Sequence, residues 1–103
     1  MATFERLKEA YSYYCFREFG EERTLTEDVR EVPVMYTTSE DEERDYQVTY
    51  FVDDLQLKYF IDEECVWVEQ FDSLDELADC MEGSDFEGYY YECVSHDEEA
   101  EDD

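Results

Sequence analysis

The sequence predicts an α+β fold, and three observations carry that expectation. Apolar residues recur at helical spacing near the N-terminus and again after an S-x-x-E motif at Ser73–Glu76. Between these segments lie four short runs rich in β-branched and aromatic residues, separated by brief acidic turns. Of the 103 residues, 43% are hydrophobic and 17% aromatic, too apolar a composition for a disordered acidic chain. The expected order is α-β-β-β-β-α-β. It forms a single domain over residues 1–96, followed by a disordered acidic tail over 97–103.

The first helix starts at Thr3, a capping residue, and Phe4, Leu7, Tyr11, Tyr14 and Cys15 follow its period. Tyr13, Phe16 and Phe19 form a second apolar face, which predicts packing on more than one side. Gly20 is placed to stop the helix in a left-handed conformation. Thr26, Glu27 and Asp28 are compatible with one short helical turn before Pro33.

The strands follow. Val34, Tyr36 and Thr38 alternate with Met35 and Thr37, and the acidic loop Glu40–Asp45 leads into a second strand at Tyr46–Val52. Asp53–Asp54 is a tight turn before Leu55–Ile61, where Leu55, Leu57, Tyr59 and Ile61 share a face. Asp62, Glu63 and Glu64 form another acidic turn before a fourth strand at Cys65–Phe71. Connections this short require an antiparallel meander. Ser73 and Glu76 then form a capping box, Leu74, Leu77, Ala78 and Met81 follow the helical period, and Gly83 ends the helix. Phe86–Val94, with Tyr89, Tyr90 and Tyr91, is expected as a fifth strand. Six of the last nine residues are acidic with no apolar pattern, which predicts the tail.

Charge is the dominant compositional feature. There are 33 acidic residues against 7 basic ones, a formal net charge of −26. Duplex DNA carries one negative charge per ~1.7 Å of axis, so this charge equals that of about 13 base pairs, or about 44 Å. A globule of about 100 residues has a radius of gyration of only about 13 Å. Solubility asks for a net charge of about 2–8, and the excess repels itself. The charge is also uneven: residues 1–44 hold 12 acids and six bases (net −6), whereas residues 45–103 hold 21 acids and only Lys58 (net −20). Adaptation to high salt is one alternative, against which the eighteen aromatics and the four cysteines argue.

Several chemistries are poorly served. Nucleophilic catalysis lacks partners, because the sole histidine, His96, is expected as a solvated residue at the edge of the tail. Cys15, Cys65, Cys80 and Cys93 contain no C-x₂-C pair, so they are expected as reduced, small apolar residues and not zinc ligands. A calcium loop needs converging oxygens and a sharp glycine turn, yet Gly20, Gly83 and Gly88 all lie outside the acidic loops. With 33 acids, carboxylate pairs arise by chance and point to no acid–base catalysis. Glycine-rich phosphate loops and basic patches are missing from the sequence, and direct nucleic-acid binding is opposed by charge. The chain is therefore expected to be no enzyme and to hold no metal or cofactor. No uncharged run approaches the roughly 20 residues that span a bilayer, and no basic, apolar leader opens the chain. A cytoplasmic location without membrane contact is expected, with the oligomeric state left open and a dimer compatible.

The acidic surface remains. Asp75, Asp79 and Glu82 repeat at i, i+4, i+7 opposite the apolar stripe of the second helix, and no lysine on that helix relieves them. Asp72, Asp75 and Glu76 suit the helix N-terminus, but Asp79 and Glu82 oppose the dipole. A plain solvated face is the simpler reading of this pattern.

In size, charge and α+β character the chain resembles the small acidic DNA-mimic inhibitors of phages and mobile elements, a group spanning anti-CRISPR, anti-restriction and glycosylase-inhibitor proteins. The resemblance rests on no shared motif. It implies a target whose basic groove ordinarily holds nucleic acid, in a bacterial host where the source is a phage or mobile element. Asp53, Asp54, Asp62, Glu63, Glu64, Asp72, Asp75, Asp79 and Glu82 would then stand in for phosphates against Lys and Arg. Exposed members of Tyr89–Tyr91 would add a desolvated anchor. A regulatory or chaperone-like module binding a basic, histone-like protein, and a salt-adapted protein with no charged partner, are the alternatives.

Overall fold

A computed structural model describes residues 2–21, 23–26, 29–40 and 42–101. Its elements are α1 (Ala2–Phe19), β1 (Glu31–Thr38), β2 (Asp45–Phe51), β3 (Gln56–Ile61), β4 (Glu64–Gln70), α2 (Leu74–Gly83) and α3 (Phe86–Glu101). The four strands form one antiparallel sheet in the order β1-β2-β3-β4, the meander that the short turns require. The expected turn at Thr26–Asp28 falls on residues 27 and 28, outside the described residues.

Alternation along β2 fixes the core. Tyr46, Val48 and Tyr50 point to one face, opposite Ile61, Tyr59 and Leu57 of β3, and all six are buried. Leu7, Ala10, Tyr14 and Cys15 of α1, Leu77, Ala78 and Met81 of α2, and Tyr89 and Cys93 of α3 close over that face in a single cluster. Each of the larger side chains contributes about 1.5–3 kcal/mol by leaving water. The other face is polar and aromatic: the Gln47 amide donates to Thr49 Oγ1 at 3.0 Å, and the Lys58 ammonium lies 4.6 Å from the Phe51 ring centre.

Edge strand β1 accommodates Pro33, which has no N–H to give a ladder, and its register shifts between Pro33 and Met35. The shift leaves Val34 and Met35 both buried. Tyr14 donates its hydroxyl to the Val34 carbonyl at 2.8 Å, tying α1 to the bulge.

Four expectations about the helices are corrected. The strand expected at Phe86–Val94 is instead α3, which continues through residues 97–101, where a disordered tail is expected. Asp85 caps α3 by accepting from Gly88 N at 2.7 Å, and Glu18 of α1 accepts from Phe86 N at 2.9 Å. Farther along, Asp97 accepts from the Tyr46 hydroxyl at 2.8 Å and pairs with Arg44 at 3.2 Å, which anchors the helix beyond residue 94. The second apolar face of α1 is not packed away: Tyr13, Phe16 and Phe19 all stay exposed, although Phe19 meets the rings of Tyr14 and Phe86. Helix α1 also begins at Ala2, so Thr3 lies inside it. Gly20 does terminate it, at φ +71° with its N–H on Phe16 O.

The Tyr50 and Tyr89 hydroxyls share a buried hydrogen bond of 2.7 Å, and the Tyr50 hydroxyl also donates to Cys80 Sγ at 3.4 Å. Burial pushes the Tyr89 hydroxyl and the Cys93 thiol each up to about 12, and raises Tyr14, Tyr50 and Tyr59 as well.

Two outcomes follow from this core. Tyr14→Phe keeps the ring but strands the buried Val34 carbonyl, and should lower the urea midpoint by the equivalent of about 1–2 kcal/mol with unchanged slope. An unchanged midpoint would show that the bulge is satisfied otherwise. Second, the unfolded chain releases thiol and phenol protons from pH 9.0–10.0 upward, while the folded chain keeps those of Cys93 and Tyr89 to about pH 12. Stability contributed by these groups is complete below pH 9.0 and is lost as the pH climbs toward 12. Tyrosinate absorbance should therefore rise cooperatively with unfolding in this window, and independent titration of every tyrosine before unfolding would contradict it.

Candidate functional site

The acidic surface is built at the two ends of the β3–β4 hairpin. At one end, residues 52–55 turn β2 into β3, with Leu55 at φ +54°. Gln70 fastens this turn to the end of β4, its amide donating to the carbonyls of Asp54, Leu55 and Phe71 at 3.0–3.1 Å. Asp53 and Asp54 are thereby held on the same end of the sheet as Asp72 and Asp75. Helix α2 starts there on its expected cap: Ser73 Oγ accepts from Glu76 N at 3.2 Å, while Glu76 accepts from Asp72 N at 3.0 Å.

At the other end, Asp62 and Glu63 form the two-residue turn between β3 and β4. Both have positive φ, +52° and +70°, the backbone of a primed hairpin turn that matches the twist of the flanking strands. Asp62 exchanges backbone and side-chain hydrogen bonds with Asp45, which brings the start of β2 to the same end. The six residues of β3 separate the ends by about 20 Å, roughly six base-pair rises of 3.4 Å. Edge strand β4 runs between them with Glu64 and Glu69 exposed.

The nine expected acids thus do not gather into one patch. Asp53, Asp54, Asp72 and Asp75 share one end, and Asp62, Glu63 and Glu64 the other. Asp79 and Glu82 lie apart from both and share one arginine within the fold: Arg6 of α1 donates to Asp79 Oδ1 at 2.5 Å and Glu82 Oε2 at 2.7 Å. Arg17 completes this seam, donating to the carbonyls of Glu82 and Ser84 at the negative end of α2. The two acids that oppose the helix dipole are therefore structural. Asp53 pairs with Arg30 at 3.4 Å. Among the described residues, Asp54, Asp62, Glu63, Glu64, Asp72 and Asp75 stand exposed without an ion pair.

Three neighbours of this edge, Trp67, His96 and Glu69, are not among the expected site residues. Trp67 projects from the core face of β4 opposite Tyr59 yet stays 46% exposed, because β4 is the sheet edge. His96 is not a solvated tail residue: it is nearly covered, stacks on Trp67 with ring centres 5.1 Å apart, and has Nε2 3.7 Å from Glu92 Oε2. Glu69 accepts from Trp67 Nε1 at 3.2 Å. Strand alternation and the helical period of α3, taken together, would have found all three. Of the cysteines, Cys15 and Cys93 are buried, Cys80 is half-buried and Cys65 is exposed, all with free thiols. Among the described residues, no group of three His, Cys, Asp or Glu side chains is arranged to hold a metal, and no helix is long and apolar enough to cross a membrane.

Comparison with protein-family models, with curated proteins and with solved structures finds no match.

Glu63 at φ +70° occupies a backbone position where glycine avoids the steric cost of a side chain. Glu63→Gly should stabilise the protein by about 1 kcal/mol in urea unfolding, while removing an exposed charge. A destabilised variant would mean that the Glu63 side chain supports the hairpin.

Proposed function

We propose that this protein is a nucleic-acid mimic that occupies the basic groove of a nucleic-acid-binding protein, such as a defence nuclease, and blocks it by competition. The observation that supports this reading most is the one-sided use of charge. Residues 59–103, which supply β4, α2 and α3, contain 18 acids and no lysine or arginine. The arginines that the chain has are engaged by its own carboxylates and carbonyls, although Arg17, Arg23 and Arg30 are exposed. The hairpin ends and the β4 edge thus present carboxylates on rigid strands and turns, where phosphate-binding lysines and arginines of a partner would meet them as charge-assisted pairs. Complementary fields also accelerate encounter, most strongly at low salt. On this reading the chain acts by occupation and catalyses nothing. It meets its target in the cytoplasm and does not itself touch nucleic acid.

The test is displacement of a labelled duplex or guide RNA from a panel of basic nucleic-acid enzymes. At least one should release its nucleic acid, with an apparent affinity that weakens steeply between about 50 and 200 mM salt. Neutralising Asp62, Glu63 and Glu64 together to Asn, Gln and Gln should weaken that competition about tenfold, each exposed pair contributing about 0.2–1 kcal/mol. If no enzyme in the panel shows salt-sensitive displacement, occlusion is refuted.

A further inference from the structure

An open cavity of about 390 Å³ lies between the β3–β4 edge and the α2–α3 connection. Its aromatic lining comes from Tyr59, Trp67 and Tyr89, its acidic lining from Glu69, Asp85 and Glu92, and among the described residues no lysine or arginine borders it. Asp85 is committed to the α3 N-terminus through Gly88 N. Glu69 and Glu92 are not tied in that way. They bracket one aromatic stack: Glu69 holds the indole N–H of Trp67, Trp67 lies on His96, and His96 Nε2 faces Glu92. A half-exposed indole is thus fixed in orientation at both its edge and its face, with a carboxylate on either side.

We propose that this cavity is a binding site for a guanidinium group, an arginine side chain inserted by the partner. Three features favour that guest. The volume falls in the range of small-ligand sites, about 300–1,000 Å³, and takes a side chain without displacing core residues. Aromatic faces attract cations, and the planar guanidinium stacks on indole where a compact ammonium does not. Carboxylates flanking the stack accept the in-plane N–H groups that stacking leaves pointing outward. An anionic guest would be repelled by Glu69 and Glu92, and a purely apolar one would desolvate both carboxylates without offering them a new donor. The identity of the guest as a partner's arginine rests on the competitive reading above, whereas the guanidinium chemistry of the cavity stands on the geometry alone.

Trp67 is the only tryptophan, so its fluorescence reports directly on the site. Titration of the full chain with N-acetyl-argininamide should give a saturable change, several-fold tighter than that with N-acetyl-lysinamide. Glu92→Gln and Glu69→Gln, both at exposed positions, should each weaken the arginine response by about fivefold or more. The Trp67 indole N–H resonance should shift in the same titration. A linear response shared by both probes, equal affinity for the two, or an arginine affinity untouched by Glu92→Gln overturns the site. The same variants, placed in the duplex-displacement assay, separate the two ideas. Displacement that survives alongside a silent cavity leaves occlusion standing without this anchor. A responsive cavity with no displacement leaves a guanidinium site whose partner is not a nucleic-acid enzyme.

Discussion

The clamp between α1 and α2 is the interaction on which the rest of the acidic surface depends. Helix α2 carries Asp75, Asp79 and Glu82 along one face and has no base of its own, so its like charges repel one another and the helix dipole. Arg6 and Arg17, on one side of α1, answer both problems: Arg6 bridges Asp79 and Glu82, and Arg17 satisfies carbonyls at the helix end. The carboxylates on Arg6 hold its charge still more firmly, since the Glu82 hydrogen bond raises its basicity. Few cations suffice because each is placed where repulsion is greatest. That economy leaves most acids of the hairpin ends and the β4 edge without an internal ion pair, Asp53 on Arg30 being the exception.

Much of the fold is legible in the sequence because it depends on local pattern. The meander follows from alternating apolar runs joined by acidic turns, and α2 from the Ser73 cap, whose hydroxyl accepts from Glu76 N while the Glu76 carboxylate reaches back to Asp72 N, one residue before the cap. Helix α3 was obscured by composition. Phe86, Tyr89, Tyr90, Cys93, Val94 and Asp97 carry a complete helical period, but three consecutive tyrosines favour a strand by propensity. Its caps decide the matter, and one of them, Glu18, comes from 68 residues away. The same tertiary cause explains the α1 face: aromatic residues at helical spacing promise burial, but nothing in sequence says whether a partner element will arrive.

The candidate site was legible in kind and not in detail. Local sequence places the acidic turns between the strands, although the first spans residues 52–55 and Glu64, expected in the second, already belongs to β4. Which acids are spent internally depends on contacts of high sequence separation: Arg6 lies 73 and 76 residues from its partners. His96 shows the opposite error. Its placement in a tail followed from the expected strand ending at Val94; once α3 continues, the ring falls one turn beyond Glu92 and onto Trp67.

Magnitudes decide why an aromatic cavity matters to an acidic binder. Nanomolar affinity needs about 12 kcal/mol, whereas an exposed ion pair contributes about 0.2–1 kcal/mol. Even a dozen or more such pairs reach that figure only at the upper limit, before the cost of losing translational freedom, estimated at 4 kcal/mol or above, is met. Carboxylates on turns therefore give speed and orientation more than grip. Grip requires groups that lose water fully on contact, and interface energetics concentrate in aromatic and arginine anchors. Trp67 is half-exposed, rigidly held and flanked by acids on the very edge that joins the two charged ends. The charged surface and the cavity thus divide the work, the first drawing a basic groove into register and the second holding it.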